Sequence, residues 1–301
     1  MATIRNILWK DFILNKLLSL RYRLFRKRGW DNTPANKGTL VFEDNFNEIS
    51  WARPNKKWNV GPYWGKVHPE NSSVYMGDSP KLDGEGNVIL ESFYKPFHYE
   101  NYAGKWDTLV SANKLVTQKH YKQQYGWFES RLTYPTSNND FPAWWLWGTA
   151  PTKNPDTLTK QYFEVDIWEV LHKSKKNRFR INLHWRDWTK DNNPRDKLKS
   201  QKIFLEKDLD KFHTFALDWQ PNHMKVYVDD MLVFIYRNKK VLDNFFNNEG
   251  CLMWLCINHG FHESGVNNLK EDYYSSFKVD WVKAYAYENS TTIIDYDQPN
   301  E

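Results

Sequence analysis

Two cysteines stand in 301 residues, Cys251 and Cys256 in the segment GCLMWLCI. Read as a strand, that segment sends positions five apart to opposite faces, roughly 16 Å from each other at about 3.3 Å per residue. A disulfide needs Cα atoms within roughly 7 Å. Both thiols are therefore expected to be free and buried, which excludes a disulfide framework; it fits a reducing compartment without requiring one. No long apolar run is present. At the N-terminus FIL and LLSL are split by Asn15 and Lys16, with no small-residue cleavage site after them, so this segment reads as neither a signal peptide nor a membrane span. No repeat of 20 to 50 residues is visible, and no long helical pattern interrupts the chain after about residue 38.

Excess of charge is absent from most of the chain as well. The formal net charge of +5 comes from residues 1–28, which hold eight Lys or Arg against Asp11. The remainder carries 34 bases and 36 acids, so the body gives no reason to expect a nucleic-acid partner. In the arm, Ile4, Ile7, Leu8, Leu14, Leu17, Leu18 and Phe25 recur at helical spacing, with Arg21, Arg23, Arg26, Lys27 and Arg28 toward its end. This is the pattern of a basic amphipathic helix. Three destinations stay open for it: an anionic membrane surface, a partner protein or larger assembly such as a virion, or the body itself. The localisation follows whichever applies: cytoplasmic, virion-associated or surface-tethered. On this reading, removing residues 1–28 leaves soluble activity intact.

What the chain has in quantity is aromatic side chains, 17% of all residues including 16 Trp. Rings on this scale serve either a large sandwich core or the platforms of a binding cleft. Short alternating runs follow one another: LVFEDNF, NVILESFY, WFESRLTY, FRINLHW, HTFALDW, HMKVYVDDMLVFIY, CLMWLCI and FKVDWVKAYAY. Turn signals separate them, at DGEGN, YPTSNND, DNNP and QPNH, and a hairpin is expected to turn at Asp229-Asp230. Eight or more such strands predict an all-β sandwich or jelly roll. The chain divides into a helical arm over 1–37, one catalytic-type domain over 38–287, and an acidic, loosely held tail over 288–301.

The run FEVDIWEV places Glu164, Asp166 and Glu169 in an otherwise apolar strand. Glu164 and Asp166 share a face, but Glu169, five residues on, faces the other way in a regular strand. One extra residue, a β-bulge at Ile167-Trp168, returns it to the first face and leaves Phe163, Val165 and Val170 for a core. Clustered like charges are costly unless protonated or neutralised. That cost is useful in glycoside hydrolysis, where one carboxylate attacks and a second, kept protonated, donates to the leaving oxygen. Two other readings stay open from the residues: a solvated strand face, and a calcium site.

The E-x-D-x-x-E strand resembles the active-site motif of family-16 glycoside hydrolases in its bulged form. YGWFESRLTYP, FPAWWLWG, FHTFALDWQPNHMKVYVDD and FKVDWVKAY are similar to further blocks of that family in the same order, covering roughly 40–287. The resemblance implies a β-jelly-roll sandwich of two antiparallel sheets with a concave cleft. It implies a retaining endo-β-glycanase that cuts a β-linked polysaccharide through a covalent glycosyl-enzyme, with Glu164 as nucleophile, Glu169 as general acid/base and Asp166 assisting. It places Trp145, His184 and the pair Tyr63 and Trp64 at the sugar. No cofactor is implied for catalysis; a structural calcium ion is implied at Asp280, with Glu43. Phe141 departs from the family pattern, as does INHGFHESG, whose His259, His262 and Glu263 are expected to set specificity. Arg186 and Arg195 stand in a polar loop that suits either a charged sugar or plain solvent. A transglycosylase, and a non-catalytic carbohydrate-binding or structural module on the same fold, are the competing functions.

Overall fold

The computed structural model describes residues 2–25, 36–52, 54, 56–61, 67–68, 73–74, 79–101, 104–135, 137, 140–151, 160–170, 178–186, 197–204, 211–262 and 267–296. Two sheets, antiparallel but for one short pairing, dominate these residues. One sheet runs in the order Met231–Tyr236, His223–Val228, His213–Gln220, Gly126–Leu132, Tyr274–Ala286, Val88–Asn101 and Gly104–Ala112, with short strands beyond and beside these. The other runs Lys197–Phe204, Arg178–Arg186, Lys160–Glu169, Ala143–Pro151, Leu252–Asn258, Lys114–Val116 and Asn59–Val60. Period-2 alternation explains the layering. Phe128, Phe215, Leu217, Val226 and Phe277 from the first sheet meet Leu146, Phe163, Val165, Ile181 and Leu255 from the second in one buried core.

The hairpin turns at Asp229 and Asp230 as expected. Both have positive φ, 47° and 64°, the conformation that matches a two-residue loop to the right-handed twist of its strands. The left-handed backbone is secured at Asp229, whose Oδ1 accepts from the Thr214 N–H at 3.0 Å. Cys251 and Cys256 are free and buried on opposite faces, the first in the main core and the second in the cluster outside it. One short element joins the strands, and one reading is corrected. Residues 239–246 form a short helical segment, with Leu242 and Phe246 buried in the core. The tail is not loose over its first part, because Thr291–Ile294 pairs with Tyr121–Gln124 and the Asp295 N–H donates to the His120 carbonyl at 2.9 Å.

The arm is helical over Ala2–Phe25, here α1. It packs on the outermost strand of each sheet, Met231–Tyr236 and Lys197–Phe204. A sheet edge presents unpaired N–H and C=O groups that natural proteins cover or charge. Asn15 covers this one: its Oδ1 accepts from the Ile235 N–H at 2.8 Å and its Nδ2 donates to the Ile235 carbonyl at 2.9 Å. Asp11 pairs with Arg237, and Leu18 and Tyr22 are buried, Tyr22 within the main core. Of the three destinations the sequence leaves open, α1 occupies the body with one face.

Candidate active site

The acidic strand Lys160–Glu169 lies between Ala143–Pro151 and Arg178–Arg186, and its pairing carries the bulge. Against one neighbour Asp166 stands opposite Trp145 and Trp168 opposite Trp144, leaving Ile167 as the extra residue. Against the other, Asp166 faces Asn182 and Glu169 faces Arg180, three residues against two. Ile167 and Trp168, consecutive in sequence, are both fully buried in the core, and Phe163, Val165 and Val170 join them. Trp168 anchors the bulge among Tyr134, Phe215 and Phe277, with ring centroids 5.4–5.6 Å away. The three carboxylates are thereby turned to the outer face of the sheet.

Register then gives each acid its neighbours. Glu164 lies between Trp147 and His184, Asp166 between Trp145 and Asn182, and Glu169 between Ala143 and Arg180. His184 Nε2 is 3.3 Å from Asp166 Oδ2 and 3.9 Å from Glu164 Oε1. Asn182 Nδ2 donates to both Asp166 Oδ2 at 2.9 Å and Glu169 Oε2 at 2.6 Å. Asp166 is buried at the centre of this network, while Glu164 keeps 32% of its side chain exposed and so remains reachable.

Burial, then the charge of Asp166, holds Glu164 well above the usual carboxylate range. The same two causes push Glu169 up to about 8, against the opposing pull of His184, Asn182 and Arg180. Burial by itself would lower His184, but its hydrogen bond to Asp166 and the three carboxylate charges outweigh that and raise it to about 10. The site thus holds a protonated imidazole and at least one protonated carboxyl near neutral pH. Glu164, Asp166 and His184 also have ligand atoms within 4.8 Å of one another, a spacing that suits a metal. The hydrogen bond between His184 and Asp166 accounts for part of this spacing.

Beside the acids the outer face is aromatic. Trp145 donates from Nε1 to Asn258 Oδ1 at 2.7 Å, which fixes its ring plane. Trp147 stacks on Tyr162 at 5.8 Å and meets Trp254 edge-on at 5.0 Å. So the abundant rings both fill the core and line the outer face beside the acids. Lys114 is buried in this floor, with Nζ 4.6 Å over the Trp145 ring; burial pulls it down to about 8, with the nearby Cys256 and Glu164 resisting. Neither Lys114, Asn182 nor Arg180 was anticipated from the sequence. Asn182 and Arg180 were within reach of parity, two and four residues before His184 on the same face. Lys114 had only the weaker signal of a lone cation in a short apolar strand.

Other anticipated residues fall elsewhere. Tyr63, Trp64, Arg195 and Glu263, and the side chain of Arg186, lie outside the described residues. His262 packs edge-on against Phe141 at 5.6 Å. His259 is a core residue rather than a specificity determinant. It is fully buried 3.2 Å from Ser275 Oγ and against Phe277, and burial lowers its basicity. Asp280 pairs with Arg131, and Glu43 with Lys283 at 2.9 Å, so each acid implied for calcium already has a protein cation. That arrangement does not fit a cation held between the two.

Residues 97–283 match the family model for glycosyl hydrolases family 16. A beta-glucanase of Rhodothermus marinus is 23% identical over 217 residues, covering 68% of this chain and 67% of that protein. A beta-glucanase of Bacillus subtilis (strain 168) is 37% identical over 78 residues, 24% of this chain and 28% of its own length. Among solved structures, LamAcat from Zobellia galactanivorans superposes with a TM-score of 0.63 at 20% identity, covering 83% of this chain and 98% of that one. The kappa-carrageenase from Pseudoalteromonas carrageenovora, solved with an oligotetrasaccharide of kappa-carrageenan, gives 0.64 at 16% identity, with 87% and 97% covered. At these identities the two structures speak to the fold.

Proposed function

The chain belongs to glycosyl hydrolase family 16, and on that premise we propose that it is a retaining endo-β-glycanase. The observation that carries this reading is the bulge, which gathers Glu164, Asp166 and Glu169 on one face between His184 and Asn182. In the first step Glu164 attacks the anomeric carbon while the glycosidic C–O bond breaks and Glu169 gives its proton to the leaving oxygen. In the second, Glu169 takes a proton from water, which attacks the same carbon and breaks the glycosyl ester, returning Glu164. Two inversions leave the anomeric configuration retained.

Each neighbour has a task in this scheme. The competent proton distribution is one proton on Glu169 and none on Glu164. The imidazolium of His184, 3.9 Å from Glu164, favours it. Asp166, held by His184 and Asn182, keeps the negative charge that raises Glu169. Trp145 and Trp147 offer flat apolar surface to sugar faces. From Lys114–Val116 to Arg178–Arg186 the outer face is five strands wide, about 19 Å at ~4.8 Å per strand. That width suits several consecutive sugars and hence attack within a chain.

A β-glucan is the first substrate to try, since the beta-glucanases are the curated relatives named above. A reducing-end assay over β-glucans, agar, porphyran and carrageenans identifies the polymer. On the polymer that is cut, Glu164→Gln and Glu169→Gln each lower release of reducing ends by about a hundredfold or more without unfolding the protein, and early product carries the β configuration by NMR. Full activity in either variant, or an α product, sinks the assignment.

A further inference from the structure

One face of α1 is spent on the body; the opposite face is not. Asp11, Asn15, Leu18 and Tyr22 are buried and point one way. At 100° per residue the far pole of the helix carries Ile13, Leu17, Leu20 and Leu24. These are 43%, 56%, 48% and 64% exposed, a continuous apolar stripe turned to solvent. Basic residues border it on both sides. Lys10 and Arg21 lie along one flank, Lys16 and Arg23 along the other. Phe12 extends the second flank, with Lys16 Nζ 4.4 Å over its ring and Lys199 of the neighbouring edge strand at 6.0 Å. The one acid of the helix, Asp11, sits on the docked side and is paired with Arg237.

We propose that this outward face of α1 docks the protein on an anionic lipid surface. An apolar stripe with basic flanks is the design of a helix that lies in the headgroup region, its leucines at the acyl boundary and its Lys and Arg stems reaching anionic headgroups. Charge decides between this occupant and a second copy of the chain. The spacing of Ile13, Leu17, Leu20 and Leu24 is also that of a coiled-coil seam. In a parallel pair, however, Lys16 of one copy meets Arg21 of the other, and the flanking positions that should attract would repel. The same cations are complementary to phosphate. Because the lipid face and the docked face are opposite, binding leaves the sheet edges capped.

The test uses the full chain and sedimentation with vesicles. One set contains phosphatidylglycerol and phosphatidylcholine in equal parts, the other phosphatidylcholine alone. Binding is expected to the first set, falling with added salt, and only weakly to the second. Lys10→Gln/Lys16→Gln loses affinity at about fivefold per basic residue removed, and Leu17→Glu/Leu20→Glu abolishes binding. Both variants keep the melting temperature and the hydrolytic rate on soluble polysaccharide, since none of these side chains faces the body. Equal binding to both vesicle sets, or undiminished binding by either variant, overturns the proposal. So does a concentration-dependent dimer in sedimentation velocity that Leu17→Glu/Leu20→Glu abolishes, which assigns the stripe to a second copy.

Discussion

At the residue scale, the acids that suit the site to its chemistry also burden the fold. Glu169 binds a proton up to about pH 8 in the folded protein but only to about 4.5 when unfolded. The folded state therefore holds more protons between those values, and stability falls as pH rises through that window. Glu164 has the same sign. His184, raised to about 10, contributes stability below its unfolded value near 6.5 that is lost as pH climbs toward 10. Glu169→Gln is thus expected to cut turnover roughly a hundred- to ten-thousandfold while raising stability at pH 8 by on the order of 1–3 kcal/mol. Thermal melts at pH 5 and pH 8 check this: the gain should appear at pH 8 and shrink at pH 5. In kcat/KM the basic limb should fall near pH 8 as Glu169 loses its proton. Asn182→Ala removes a donor that favours the ionised form of Glu169. It should move that limb to higher pH, with kcat down about ten- to a hundredfold, as losing a charge-assisted hydrogen bond implies. A limb that moves to lower pH, or does not move, contradicts the role given to Asn182.

At the element scale, strand parity made the bulge legible, because three acids and five apolar residues admit one arrangement that serves both faces. Hairpin chemistry at Asp229-Asp230 was legible for a similar reason: the turn follows from local sequence alone. Lys114 was not, because a cation among apolar residues reads as an edge until the sheet order is known. His259 was misread because a polar residue in an unfamiliar segment gives no sign of its depth. The docking of α1 was hidden too. Its apolar residues lie around much of the helix, and only the partner strands decide which of them are buried. Asn15 is the clearest case, a polar residue that splits an apolar run in sequence and closes a sheet edge in space. Asn15→Ala leaves the Ile235 N–H and C=O without these partners and should cost about 1–3 kcal/mol. Urea unfolding should show this as a lower midpoint with an unchanged slope. Faster amide exchange along 231–236 would place the damage at that edge.

At the scale of the whole molecule, the sandwich is closed at one side by a segment that the sequence sets apart from it. The outermost strands of the two sheets meet α1 together, and Tyr22 reaches between them into the core. The sequence alone suggests that removing residues 1–28 leaves soluble activity intact, and the structure adds that the removal costs stability. Truncation after residue 25 strips the Ile235 edge of its cover and empties the space Tyr22 fills. The loss of a large buried ring costs about 3–5 kcal/mol, and an uncovered edge pairs with other chains. The truncated protein should therefore melt several degrees lower and show concentration-dependent association by light scattering. Its remaining monomer should still cleave, because the acids lie on the outer face of the second sheet, with the Arg178–Arg186 strand between them and the edge that α1 covers. Tyr22→Ala separates the two contributions: it opens the core while keeping Asn15 on the edge, so it should lower the melt without promoting association. A truncated chain that is monomeric and melts with the full-length protein would make α1 an accessory, leaving its outward face as the whole of its function.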